Sequence, residues 1–374
     1  MRVEPGGRVR EVVRELGPAG PFSPRPESQG LINLRSNENP FGGAYRRYPD
    51  DDLDVLVRHY VVALDEVEPP PQPGRHGEWN GENVLMTRGA VDALDLVLRT
   101  FFEPGADTVA VTPPNFVFFD RLAATHGIAR CPVPLGGERF DRLDVERLVS
   151  LPVRGVLLCD PNNPSSTRLD AGDLDRLLAR FVGLVVIDET YVEFDARASH
   201  RHRVGEHPNL IVLRSLSKGF GMAGLRLGAI LADPGVIAAI REVRPPFAVP
   251  GPVIERAVDG LADPSVLRRR IESFVEERGR LVDALSRCPR VLQIFGDAGF
   301  VTVEVGDLAG VAADLRRARI DVVINPGGWQ RRIRISVGSR HENAQLIAAL
   351  SGEPPATAPS TEPRHAPPTP ISTQ

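Results

Sequence analysis

The sequence predicts an α/β protein with a mainly parallel central sheet, followed by a smaller α+β domain. Three observations carry that prediction. Short apolar runs recur between residues 84 and 231, each closed by a polar or turn residue. Stretches with aliphatics at helical spacing separate them, the pattern of strands covered on both faces. After Pro250 this alternation gives way to a long helical stretch and a few strands.

Taken in order, residues 84–87 are a short strand, and Arg88-Gly89-Ala90 turns into a helix over 91–98. The runs 108–112, 155–159, 184–187, 210–213 and 227–231 are further buried strands. A helix is expected over 253–285, strands at 291–294 and 300–303, a helix over 309–319 and a last strand at 332–337. The expected organisation is an N-terminal arm over 1–45 that joins the small domain, a large domain over 46–249 and a small domain over 250–352. Residues 353–374 are rich in Pro, Thr and Ser and poor in large apolar residues, so they read as a disordered tail. The stretch 68–74, with four prolines, reads as an extended surface loop.

Composition narrows the class. The chain has 374 residues, of which 42% are hydrophobic and 25% charged, as in ordinary globular proteins. A net charge of −4 and a pI near 6.1 argue against a nucleic-acid-binding body. The arginine runs 268–270 and 316–317 read as solvated helix faces. Cys131, Cys159 and Cys288 form no CxxC pair, which fits a reducing cytosol and argues against a zinc ribbon. No apolar run approaches the 18 residues of a membrane span, and residues 1–10 lack the apolar core of a signal peptide. The group His200, His202 and His207 sits among arginines with no carboxylate pattern and reads as a solvated loop rather than a metal site.

The strongest chemical feature is the run from Ser215 to Gly228, with Ser217-Lys218-Gly219 after an apolar strand and Arg226 eight residues beyond Lys218. A lone lysine there is ordinarily a surface charge. Two serines and an arginine, however, can supply donors to a phosphate dianion, and the glycines let backbone approach it. A lysine beside such a phosphate can form an imine with an aldehyde cofactor. Thirty residues upstream, Asp188 ends a buried strand, where an unpaired carboxylate is costly. Either it caps a turn or it pairs with a buried cation such as a protonated pyridine nitrogen. Asp160-Pro161-Asn162-Asn163-Pro164 closes another strand; Asn-Pro is common turn chemistry, but this turn falls where ligands of open α/β sheets bind.

Together these runs resemble aminotransferases of fold type I, and within them the histidinol-phosphate aminotransferase group. The resemblance covers about residues 33–350. It rests on Asn37-Glu38-Asn39-Pro40, Arg47-Tyr48-Pro49-Asp50, Thr87-Arg88-Gly89-Ala90, Pro161-Asn162-Asn163-Pro164, Asp188-Glu189-Thr190-Tyr191, Ser217-Lys218 with Arg226, and Arg334-Ile335-Ser336-Val337-Gly338, in family order. The resemblance implies a fold-type I transferase with pyridoxal 5'-phosphate, moving an amino group between an amino donor and a 2-oxo acid acceptor by a ping-pong cycle. Lys218 would anchor the cofactor and move a proton between the substrate's Cα and the cofactor's C4′. Asp188 would pair with the ring nitrogen; Tyr191 and Asn163 would bond its phenolic oxygen. Ser215, Ser217, Arg226 and the backbone of Ala90 and Val91 would hold the phosphate. Phe116 falls where the family stacks an aromatic on the ring, although a core phenylalanine is the plainer reading. Tyr48 matches a tyrosine that reaches the neighbouring subunit's phosphate, which implies a homodimer with shared sites. Arg334 would grip the substrate's carboxylate or phosphate, with Asn39 also on the substrate side.

Several positions depart from the family. Ser165-Ser166 replaces Thr-Gly, Phe116 replaces a tyrosine, Val91 stands where an acidic residue or serine is usual, and Gly299 where an asparagine is common. Leu16-Gly17-Pro18-Ala19 occupies a place where the family often has a tyrosine over the substrate. Read as losses of polar groups, these predict a changed substrate in a specialised pathway, with histidinol phosphate the alternative. A decarboxylase like those acting on threonine phosphate, and a non-catalytic binding module, are further alternatives; Glu38, and Lys218 with Asp188 and Arg226, count against them.

Overall fold

The computed structural model describes residues 9–16, 36–49, 53–69 and 79–352. The expected tail, most of the arm, Gly17-Pro18-Ala19 and the prolines at 70, 71 and 73 lie outside the described residues. Helices α1 (Glu11–Glu15) and α2 (Asp54–Val67) precede strand β1 (Val84–Thr87). Then come α3 (Ala90–Phe101), β2 (Thr108–Val111), α4 (Val117–Thr125), β3 (Ala129–Pro132), α5 (Val145–Ser150) and β4 (Gly155–Cys159). These lead to α6 (Ala171–Arg180), β5 (Leu184–Asp188), β6 (Leu210–Ser215), β7 (Gly228–Ala232) and α7 (Pro234–Val243). The remainder is α8 (Gly251–Leu261), α9 (Pro264–Ser286), β8 (Val291–Phe295), β9 (Phe300–Val305), α10 (Leu308–Arg317), β10 (Val323–Ile324), β11 (Arg332–Ser336) and α11 (Arg340–Ser351).

Seven strands form one sheet in the order β1-β7-β6-β5-β4-β2-β3. All are mutually parallel except β7, which runs antiparallel between β1 and β6. The sheet is therefore mainly parallel, as expected, and its strands β1, β4, β5, β6 and β7 are buried along their whole length. Its two faces each carry an apolar core, one built with α2, α5 and α6 and the other with α3, α4 and α7. The second sheet, β10-β11-β9-β8, is antiparallel and packs its apolar face on α10, α11 and the end of α9.

Three expectations need correction. The helix expected over 253–285 is broken into α8 and α9, because Asp263-Pro264 starts a new helix: the Asp263 carboxylate accepts from the amides of Ser265 and Val266. The histidine segment is not solvated. Residues 200–203 form a buried 3-10 turn in which His200 meets Asp160 at 2.6 Å and Arg201 donates to Glu68 at 2.6 Å. Glu68, assigned to a surface loop, is buried for the same reason: Arg201 and Arg214 both donate to it. Buried charge calls for partners, and these segments supply them to each other.

The start of β7 has a local requirement and a consequence for the site. A side chain at Gly228 would fall 2.6 Å from the Gly89 carbonyl carbon and 2.7 Å from the Arg214 oxygen. Only glycine lets β7 start this close to the turn that opens α3. That approach sets the N-terminus of α3 beside the carboxyl end of β6.

Candidate active site

The carboxyl ends of β4, β5 and β6 deliver Cys159, Asp188 and Ser215 to one edge of the large sheet, where ligands of such sheets bind. A cavity of about 290 Å³ opens there. Its walls include Ala90, Val91, Phe116, Asn163, Asp188, Tyr191, Ser215, Ser217, Lys218, Arg226 and Arg334. Residues spread over 245 positions of sequence thus meet in one place. Cys159, Thr190 and Ala223 also line the cavity and were not singled out in the sequence. Cys159 carries no motif, and Thr190 sat inside a motif read only for its neighbours.

One end of the cavity is a cup for an anion. Gly89, at φ +98°, precedes α3, whose first turn has no side-chain cap, so its amides are unclaimed by side chains. Arg226 adopts a left-handed backbone (φ 54°) and donates to Ser217 Oγ at 3.3 Å. Ser215 Oγ accepts from the Ser217 amide at 3.2 Å. A helix start, two hydroxyls and a guanidinium match the donor needs of a phosphate.

In the same cavity, Asp188 is buried, and burial raises its carboxyl above the ordinary range against two bonds from Thr190. Among the described residues no cation of the protein pairs with it. Lys218 lines the same cavity, with Nζ 5.9 Å from the Tyr191 ring centre. Partial desolvation, then the charges of Arg334 and Arg226, hold its ammonium below the usual lysine value. Burial pushes the Tyr191 phenol up. Arg334, on β11, donates to Asn163 Oδ1 at 2.8 Å and lies 5.5 Å from the Phe300 ring centre. Phe116 serves as wall and packing at once, its ring edge-on to Phe119 at 6.0 Å.

Tyr48 and Asn39 do not reach this cavity within the chain. They line a second one of about 620 Å³ with Glu38 and Arg47. Tyr48 stacks on Phe247 at 4.6 Å and is largely exposed. Asn39, expected at the substrate, uses its side-chain oxygen to accept from the Phe41 amide, holding a local turn.

Two departures from the family also change meaning. Ser166 is buried, donates to the Phe300 carbonyl at 2.6 Å and accepts from the Ala298 amide at 3.0 Å. Ser165 is bonded to Asn162 and Thr167. Neither lines the cavity. At Gly299 any Cβ would lie 2.6 Å from the Phe194 ring and 3.0 Å from Tyr191, so glycine there answers packing.

A lysine amine that shares one cavity with an anion cup and a buried carboxylate, with no protein cation paired to it among the described residues, defines a pyridoxal-phosphate enzyme of fold type I. The donor set fits that cofactor at both ends: the cup suits its phosphate, and Asp188 suits a ring cation. The chain belongs to the class I and II aminotransferases, whose family model matches residues 74–350. It is 32% identical over 349 residues to a histidinol-phosphate aminotransferase of Parabacteroides distasonis, covering 91% of this chain and 96% of that one. It is 33% identical over 341 residues to one of Stenotrophomonas maltophilia, covering 86% and 90%. The fold matches that of histidinol-phosphate aminotransferase from Sinorhizobium meliloti in complex with pyridoxal-5'-phosphate, with a TM-score of 0.69, 24% identity and coverage of 83% and 84%. The protein is a pyridoxal-phosphate-dependent aminotransferase.

Proposed function

We propose that this aminotransferase exchanges the amino group of histidinol phosphate with a 2-oxo acid. The observation that carries the reading is the likeness to histidinol-phosphate aminotransferases over about nine-tenths of the chain. The case for a changed, specialised substrate loses two of its supports, since neither Ser165-Ser166 nor Gly299 lines the cavity. Phe116 and Val91 remain on the walls and keep that second reading in play.

Pyridoxal phosphate supplies an aldehyde that exchanges amino groups and an electron-accepting ring. The residues would divide the rest. Lys218, its ammonium destabilised by partial burial and by the charges of Arg334 and Arg226, would take the proton from the substrate's Cα. Asp188 would hold the proton of the ring nitrogen. Tyr191 and Asn163 would orient the phenolic oxygen, and Ser215, Ser217, Arg226 and the start of α3 would bind the phosphate. Arg334 would bind the substrate's phosphate or a carboxylate, both planar or threefold anions suited to guanidinium.

The same reading takes residues 46–249 as the large cofactor-binding domain, 250–352 with the arm 1–45 as the small domain, and a cytoplasmic homodimer as the working form. Tyr48 and Asn39 would then serve the other copy's site. Among the described residues no helix is long and apolar enough to cross a membrane. The test is a panel of amino donors, histidinol phosphate included, read by the change in visible absorbance of the bound cofactor. Conversion at least tenfold faster with histidinol phosphate than with any ordinary amino acid, apart from the one formed from the 2-oxo acid acceptor, is expected. Slow conversion with histidinol phosphate beside fast conversion with two other donors would return the changed substrate to first place.

A further inference from the structure

Thr190 stands on the cavity wall between Asp188 and Tyr191. Its hydroxyl lies 2.5 Å, and its amide 2.9 Å, from the same atom, Asp188 Oδ1. The amide bond alone is an ordinary turn formed by an aspartate with the residue two places on. The hydroxyl is an addition that the turn does not require. Among the described residues these are the donors to the Asp188 carboxylate, and none is bonded to its other oxygen, Oδ2. A buried carboxylate of 4% exposure with no protein cation depends on such donors to stay charged and to keep one orientation.

We propose that the Thr190 hydroxyl is a positioning group for the cofactor: by occupying Oδ1 it fixes the Asp188 carboxylate so that Oδ2 is left to meet the ring nitrogen. The inference rests on Asp188 pairing with that nitrogen, and adds a residue whose part in the site no family motif states. An aliphatic side chain at 190 keeps the turn and the packing but leaves Oδ1 with the amide alone. The carboxylate then gains freedom to rotate and holds its charge less firmly.

The test uses the full-length protein stripped of cofactor. Thr190→Val, Thr190→Ala, Thr190→Ser and Asp188→Ala are compared by the dissociation constant for pyridoxal 5'-phosphate and by the pH midpoint of the bound cofactor's visible absorbance. Thr190→Val and Thr190→Ala are expected to weaken binding about tenfold, equivalent to ~1.4 kcal/mol, and to shift the midpoint. Thr190→Ser is expected to restore both to within about twofold of the unaltered protein. A Thr190→Val protein with unchanged affinity and midpoint overturns the proposal, and so does a Thr190→Ser protein that behaves like Thr190→Val. The Asp188→Ala arm separates the two readings. If it binds as tightly as the unaltered protein, the Asp188 pairing fails and Thr190 with it. If it binds weakly while Thr190→Val is unaffected, only the Thr190 inference fails.

Discussion

Ser166 holds a left-handed backbone at φ 56°, a conformation that favours glycine, and its hydroxyl joins the loop after β4 to the start of β9. The two bonds offset the backbone cost and carry a further contact. Phe300, whose carbonyl accepts from Ser166, packs its ring against Tyr191 at 5.0 Å and beside Arg334. Ser166→Ala keeps the costly backbone and loses both bonds, so a destabilisation of ~1–3 kcal/mol is expected. Ser166→Gly also loses the bonds but adopts the backbone freely, and should lose less stability than the alanine variant. Urea unfolding of the two variants checks the order; a glycine variant less stable than the alanine one contradicts it. The serine is plain in the sequence as a departure from Thr-Gly. Its partners, more than 130 residues downstream, are not, because nothing local in residues 298–300 announces which loop they face.

Buried ions join the ends of β5 and β6 to the turn at 200–203 and to Glu68 at the end of α2. Arg214 on β6, fully buried, donates to Glu68 at 2.5 Å and to Glu193 at 2.8 Å, with Glu189 at 3.5 Å. Burial raises the Glu193 carboxyl to about 7 against the pull of Arg214. Removing the shared cation leaves the buried Glu193 without its arginine and Glu68 with Arg201 alone. Arg214→Met is therefore expected to cost ~3–5 kcal/mol by urea unfolding at neutral pH. A loss under about 1 kcal/mol would show that the network is not needed for stability.

Asp160, at the end of β4, tests the same element by pH. Burial alone would raise its carboxyl, but the charge of Arg168 and the bond to His200 outweigh burial and bring it to about 2, against an ordinary 3.8. A carboxyl held lower in the folded than in the unfolded chain stabilises the fold above the ordinary value. That contribution is lost as pH falls through the folded value. The difference in unfolding free energy between the unaltered protein and Asp160→Asn should shrink by about 2 kcal/mol between pH 4 and pH 2. A difference independent of pH over that window would contradict the assignment. None of these partners was legible in sequence: the histidine segment reads as polar loop because its charges are local, while the carboxylates that bury it come from β4, β5 and α2.

At the scale of the molecule, a lysine, an aspartate and a helix start line one cavity at the carboxyl edge of the large sheet, and bound pyridoxal phosphate would join them. A ligand bound only by the folded form stabilises it by mass action. Removing pyridoxal phosphate is expected to lower the thermal midpoint, and saturation at about a hundred times its dissociation constant to return ~2.7 kcal/mol. Calorimetry with and without cofactor measures this. A Lys218→Ala protein, which keeps the cup but loses the anchoring amine, should show a smaller gain.

The strand alternation and the ordered motifs were enough to predict the mainly parallel sheet and most walls of the Lys218 cavity, Cys159, Thr190 and Ala223 excepted. Apolar periodicity and the chemistry of Lys218, Asp188 and Arg226 are local properties, written in neighbouring residues. The antiparallel direction of β7, the division of α8 from α9, the buried turn at 200–203 and the meaning of Ser166, Thr190 and Gly299 were decided by tertiary structure. The close approach of β7 to the turn before α3 depends on Gly228, and a buried charge is stable only beside a partner brought from elsewhere in the chain. Those are relations in space between distant residues, and a sequence read along its length does not contain the distances that decide them.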